Sequence, residues 1–130
     1  MDDLNPLIAQ ARDAARLAYA PYSRFRVGAA LRDARGGVYL GCNVESASYG
    51  LTICAERNAI FGAIADGAAR PFAALAVTCL DATEPFIPCG ACRQIMAEHL
   101  RSDAPVLIDG LGEYQIADLL PLAFSLDVGE

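Results

Sequence analysis

The sequence predicts a three-layer α/β/α fold with a mixed central sheet, and three observations carry that prediction. Apolar residues recur at helical spacing in several stretches. In others they alternate or run together as in strands. The two kinds of segment interleave in the order α-β-β-α-β-α-β-α, with neither repeats nor linkers between them. A chain of 130 residues that is 55% hydrophobic and 20% charged is expected to form a single domain over residues 1–130, with enough apolar surface for a packed core.

The first helix is expected to start at Asn5 as N-cap with Pro6 in its first turn, and Leu7, Ile8, Ala11, Ala14, Ala15 and Ala18 supply its apolar stripe. Pro21, Tyr22 and Ser23 interrupt that pattern. Val27, Ala29 and Leu31 then alternate with Gly28, Ala30 and Arg32 as in a strand, and Arg35-Gly36-Gly37 reads as a hairpin turn into a second strand from Val38 to Asn43. Helical spacing returns from Cys54 to Ala65, with Gly67 placed as its C-terminal cap. Phe72 to Thr78 is an apolar run expected to be a buried strand. Pro85 and Pro88 mark a loop before a helix from Cys89 to Leu100, Val106-Leu107-Ile108 is a further strand, and Ile116 to Leu120 is a short last helix.

Charge narrows the function. The formal net charge is −6, and all ten basic residues are arginine, a balance that repels a polyphosphate backbone and argues against nucleic-acid partners. The start Met1-Asp2-Asp3 lacks the basic stretch and apolar core of an export signal, and no charge-free run exceeds ten residues, so a soluble, cytoplasmic protein with no membrane partner is expected. Five cysteines are an odd number for a disulfide framework. In a reducing compartment, clustered thiols point to metal or catalytic work. A mean hydropathy of +0.31 is high for so small a chain and predicts apolar surface hidden between subunits.

Cys89-Gly90-Ala91-Cys92 places two thiolates at i and i+3 on one side of a first helical turn, where free N–H groups and the helix dipole favour negative charge. Cys54, also at an expected helix start, offers a third ligand. Three soft thiolates favour Zn²⁺ at about 2.3 Å per Zn–S bond and leave a fourth position open to water, as in catalytic rather than structural sites. Water on such an ion loses its proton near a pKa of roughly 7, which makes a nucleophile at neutral pH. Glu56, two residues after Cys54, is close enough to take that proton without being a ligand. Three thiolates on one Zn²⁺ leave the site negative, and Arg57 together with the two helix starts is expected to offset that charge by hydrogen bonding to the sulfurs.

Cys54-Ala55-Glu56-Arg57, a helix and a strand, and then Pro88-Cys89-Gly90-Ala91-Cys92-Arg93 form the signature of zinc deaminases, with cysteine as the first ligand where others carry histidine. With the stretches Tyr22 to Ala30, Gly41 to Glu45, and Leu119 to Phe124, the chain over nearly its whole length resembles the small, homotetrameric, zinc-dependent cytidine deaminases. The resemblance implies a sheet of about five strands. It implies hydrolytic deamination of cytidine and deoxycytidine to uridine and deoxyuridine, with release of ammonia, in pyrimidine salvage. It assigns Phe25 to stacking on the pyrimidine, Asn43 and Glu45 to the ribose hydroxyls, and Tyr49 and the backbone of Ala55 to the walls of the base site. Phe124 is the aromatic lent to a neighbouring subunit of a homotetramer. The chain departs from the family pattern at Ser46, where asparagine is frequent, and at Leu122, where a small residue is.

The residues alone leave plainer readings open. Cys42 shares a strand face with Val38 and Leu40, and Cys79 follows an apolar strand, so both are expected to pack rather than ligate. His99 is the only histidine, but it lies roughly 10 Å along the helix from Cys92, too far to share one ion with it. Phe25 and Phe124 could belong to the core, Asn43 could end a strand, and Glu45 could be merely solvated. Three rivals remain: a deaminase of another aminopyrimidine nucleoside, a structural zinc module, and a thiol oxidoreductase built on Cys89 and Cys92. The structural module would need a fourth ligand that the sequence does not obviously supply.

Overall fold

The computed structural model describes residues 4–126; the start Met1-Asp2-Asp3 lies outside them. The elements are α1 (Asn5–Ala15), β1 (Val27–Arg32), β2 (Val38–Cys42), a 3₁₀ turn (Tyr49–Leu51), α2 (Ala55–Ala65), β3 (Ala74–Cys79), α3 (Gly90–His99), β4 (Val106–Ile108), β5 (Gly112–Tyr114) and α4 (Ile116–Leu119). The strands form one five-stranded mixed sheet in the order β2-β1-β3-β4-β5. The β3–β4 pair is parallel and the others are antiparallel.

Period-2 alternation makes the three layers. Val27, Ala29 and Leu31 of β1, Leu75 and Val77 of β3, and Val106 and Ile108 of β4 face α2 and α3, where they bury Ala59, Ile60, Ala63 and Met96. The opposite face presents Ala30, Ala74, Ala76 and Leu107 to Leu7 and Ala11 of α1. Small residues on that face bring the α1 backbone close to the sheet. A Cβ at Gly28 would stand 2.0 Å from the Ala11 carbonyl oxygen, and one at Gly41 would stand 2.4 Å from the Ala59 nitrogen of α2. Both helices therefore lie on glycine-lined sheet positions.

Several boundaries differ from the sequence reading for identifiable reasons. Helix α1 is capped by Leu4, with Asn5 inside its first turn, and it ends at Ala15 rather than Ala18. Residues 16–18 tighten into i→i+3 bonds because the chain must turn to pair Tyr19 with the strand segment that holds Asn43 and Glu45 (Tyr19 N–H to Asn43 O, 3.0 Å; Glu45 N–H to Tyr19 O, 2.9 Å). Phe72 pairs with Leu100 as a separate bridge, and β3 begins at Ala74 and runs on through Cys79. The short β5, Gly-Glu-Tyr, carries no strand signature in the sequence, because it is mostly exposed and lacks an apolar alternation. The turn glycines behave as expected: Gly36 has φ +91° and Gly67 φ +78°, the left-handed region open to glycine. Asp33 fixes the hairpin by accepting the N–H groups of Arg35 and Gly37.

Candidate active site

Cys54 and Cys89 are the N-cap residues of α2 and α3, both in extended backbone conformation. Their carbonyls accept the first helical bonds, from Asn58 N–H at 3.0 Å and Arg93 N–H at 2.9 Å. Neither side chain is spent on capping, so both sulfurs are free to face the gap between the helix starts. Cys92, one turn into α3, is fully buried behind them. The three sulfurs lie within 4.8 Å of one another, and they are the metal-ligand cluster found among the described residues. The Cys54 and Cys89 sulfurs are 3.9 Å apart, against about 3.8 Å for a tetrahedral ion with Zn–S bonds near 2.3 Å. The donor set, the spacing and the exposed flank at Cys89 fit zinc with an accessible fourth position.

Glu56 supplies the second observation. It is fully buried, and neither carboxylate oxygen has a hydrogen-bond partner. An unpaired buried carboxyl costs stability unless a ligand or substrate completes it. Burial pushes it up to about 7, well above the usual carboxylate range. Without metal, a hydrogen bond from Cys92, reinforced by Arg57, holds the Cys54 thiol down to about 5, while Cys92 is pushed up by that bond and by its burial. Arg57 points Nη2 at the Cys54 sulfur, 3.4 Å away. Arg93 fixes the entry to α3 by donating from Nε to the Pro88 carbonyl (2.7 Å) and from Nη1 to the Leu119 carbonyl (2.8 Å).

A second group of side chains lies beside this cluster. Val44 and Ile53 exchange both backbone hydrogen bonds at 3.0 Å, so the segment carrying Asn43 and Glu45 runs next to the residue preceding Cys54. Asn43 is nearly buried; its amide accepts Val27 N–H and donates to the Phe25 carbonyl, both at 2.9 Å. Glu45 receives the Tyr22 and Ser23 backbone N–H groups and the Ser23 hydroxyl. The structure thus gathers Phe25, Asn43 and Glu45 around one turn. Tyr49 stands against Tyr22 edge-to-face with 6.4 Å between ring centroids, and Ala55 is buried at the head of α2. Phe124 is exposed, and Gln94 of α3 holds its carbonyl at 2.7 Å.

Three positions had no signal of their own in the sequence. In the sequence Ser23 marks only the break after the first helix. Asn58 ties α2 to the end of β2 through the Cys42 carbonyl at 2.9 Å, and Gln94 anchors the tail. Asn58 and Gln94 act on backbone carbonyls distant in sequence, and Ser23 on the carboxylate of Glu45, 22 residues away, which no local spacing reveals. Cys79 packs against the main core, and Cys42 is half-buried. His99 stacks obliquely near Phe72, outside the thiolate cluster. A surface cleft bordered by Ile8, Arg12, Arg32 and Asp109 includes none of the three thiolates. Its Asp109 is already paired with Arg12 and Thr78, so the chemistry points to the site between the helix starts.

A mixed-sheet α/β/α layer carrying an open three-thiolate zinc site and a buried acid defines the zinc deaminase class. The model of the cytidine and deoxycytidylate deaminase zinc-binding region matches residues 1–106, and the chain belongs to this family. A cytidine deaminase of Sporosarcina psychrophila is 48% identical over 127 residues, covering 95% of this chain and 92% of the relative. The crystal structure of a cytidine deaminase from Burkholderia pseudomallei is 47% identical, covers 95% of this chain and all of its own, and superposes with a TM-score of 0.86. That from Mycobacterium tuberculosis is 42% identical over 97% of this chain and 100% of its own, with a TM-score of 0.87. The fold class, the family, the hydrolytic deaminase class and its zinc are those expected from the sequence. Among the described residues no helix is long and apolar enough to cross a membrane.

Proposed function

We propose that this chain, acting as a single domain, hydrolyses cytidine and deoxycytidine to uridine and deoxyuridine with release of ammonia. The observation that carries the reading is the fully buried, partnerless carboxylate of Glu56 next to three thiolates at two helix starts. Cys54, Cys89 and Cys92 hold zinc. When bound, zinc supplies the Lewis acidity that brings the pKa of water down to about 7. Glu56 takes a proton from the attacking water and delivers it to N3 of the pyrimidine as oxygen adds at C4; it then carries the second proton to the departing ammonia. Water and cytidine are consumed, and uridine and ammonia are formed.

Phe25 stacks on the base, with Tyr49 and the Ala55 backbone around it. Asn43 and Glu45 receive the sugar hydroxyls, and a carboxylate at that end disfavours a nucleotide phosphate or a polynucleotide. Arg57 offsets the charge of the thiolates. The exposed Tyr49, Leu51, Leu122, Phe124 and Leu126 supply the apolar surface of a homotetramer in which Phe124 completes a neighbour's site. The cytoplasm is the expected compartment.

Loss of the cytidine absorbance band on adding enzyme, run beside a zinc assay and repeated with deoxycytidine, tests the reaction. Full zinc occupancy without turnover of either nucleoside sinks the substrate. Light scattering tests the assembly, which requires a mass four times that of the chain. Mixing Glu56→Gln and Phe124→Ala subunits must regenerate some activity if Phe124 serves a neighbour's site.

A further inference from the structure

The turn before β1 is closed around one carboxylate. Glu45 accepts Tyr22 N–H at 3.0 Å and Ser23 N–H at 3.1 Å on one oxygen and the Ser23 hydroxyl on the other. The same Ser23 oxygen accepts the Phe25 N–H at 3.0 Å. A serine hydroxyl has one proton to donate and lone pairs to receive. Ser23 uses both capacities here, giving an unbroken chain from the Phe25 amide through the Ser23 hydroxyl to the Glu45 carboxylate. Asn43 holds the other side of Phe25 by its carbonyl. Between Ser23 and Phe25, Arg24 sits at φ +65°, a conformation a non-glycine residue adopts when its surroundings impose it. Glu45 lies below the ordinary carboxylate range, chiefly through the Ser23 hydroxyl, with the two amides adding to it.

We infer that Ser23 is a positioning residue that ties the acceptor for the sugar to the ring that stacks on the base. This rests on the proposed roles of Glu45 and Phe25. Its hydroxyl keeps Glu45 aimed, and at the same time fixes where the Phe25 backbone, and so its ring, begins. One hydroxyl thereby sets the distance between the two ends of the nucleoside-binding surface. Because neither end is a reacting atom, the effect falls on substrate binding rather than on the chemical step.

The test compares Ser23→Ala, Ser23→Thr and Glu45→Gln with the wild-type holoenzyme on cytidine, with zinc content measured for each. Ser23→Ala is expected to raise KM roughly 10-fold, the scale of a lost hydrogen bond to a charged group, with kcat within about twofold and zinc unchanged. Ser23→Thr, which keeps the hydroxyl, is expected to return KM toward wild type. If Ser23→Ala fails to fold, Ser23→Cys keeps the shape with a weaker donor and must show the same KM rise. An unchanged KM in Ser23→Ala, a fall in kcat in step with zinc loss, or a Thr variant no better than Ala overturns the inference. Glu45→Gln separates the layers. If it raises KM while Ser23→Ala does not, only the role of Ser23 fails; if it leaves KM unchanged, the assignment of Glu45 to the sugar fails.

Discussion

Arg57 directs its guanidinium Nη2 at the sulfur of Cys54 across 3.4 Å, one helical turn from the N-cap position that Cys54 occupies. A cation aimed at a ligand sulfur, in a site otherwise made of thiolates and a buried carboxyl, takes charge from the sulfur and orients it. Hydrogen bonds of this kind to metal ligands change metal affinity about 10- to 100-fold.

Arg57→Ala is therefore expected to lose zinc to a chelator at least tenfold more readily than wild type while keeping its fold. Competition with a chromogenic chelator measures this directly. Retention equal to wild type removes Arg57 from the metal site and leaves it a packing residue.

Glu56→Gln keeps the volume of the side chain and removes its ability to accept a proton. The variant is expected to hold zinc stoichiometrically and to lose about 10²–10⁴ in kcat on cytidine, the contribution of a positioned general acid and base. Metal analysis and steady-state kinetics on one preparation decide it. Undiminished turnover would remove Glu56 from the proton transfers, whereas stoichiometric zinc with no turnover by the wild type would favour the structural zinc module.

The proposed metal ligands and Glu56 are far more legible in the sequence than the residues proposed to hold the sugar and the base. Cys89, Cys92 and Glu56 stand at fixed helical offsets, and the N-cap geometry of Cys54 and Cys89 follows from a helix start, so coordination chemistry finds them without a fold. Asn43 reaches Phe25 through its own amide at the end of the β1–β2 pairing, and the segment that carries Asn43 and Glu45 is held in place by bridges of Val44 to Tyr19 and to Ile53. Such bridges join positions distant in sequence and leave no period behind. The same reason hid β5, whose pairing with β4 is specified by the partner strand rather than by its own Gly-Glu-Tyr. Alanine and leucine favour helix through Ala18, but α1 ends three residues earlier, at Ala15, because the tertiary pairing of Tyr19 overrides that preference.

Two glycines near α2 should respond in opposite ways to the same substitution. A Cβ at Gly41 meets the Ala59 nitrogen at 2.4 Å and the Ala55 carbonyl oxygen at 2.5 Å, both backbone atoms that cannot swing aside. Gly41→Ala is expected to push the helix that starts at Cys54 off the sheet, costing at least about 1–3 kcal/mol and weakening zinc binding. Gly62 lies within α2 and has nothing within 4 Å of its would-be Cβ. Gly62→Ala is expected to stabilise by about 0.5–1 kcal/mol with zinc unaffected. Urea unfolding of both variants settles the pair, and equal shifts in the same direction contradict the close contact of α2 on β2.

The last expectation concerns acid. Asp81 accepts Arg26 Nε and Nη2 and the Arg26 backbone N–H, each at 2.9 Å, and the guanidinium bonds first, then the amide, hold its carboxyl down to about 2 from 3.8. The folded pKa is depressed, so the stability the pair contributes is present above the unfolded value of 3.8 and is lost as pH falls toward 2. Both side chains are partly exposed, which keeps the effect modest and salt-sensitive. Asp81→Asn should therefore lower the melting temperature by a constant amount above about pH 5, with the gap to wild type closing on acidification toward pH 2. Thermal melts across that range, at low and high salt, are the measurement. A gap that persists at pH 2 would assign the contribution of Asp81 to packing rather than to its charge.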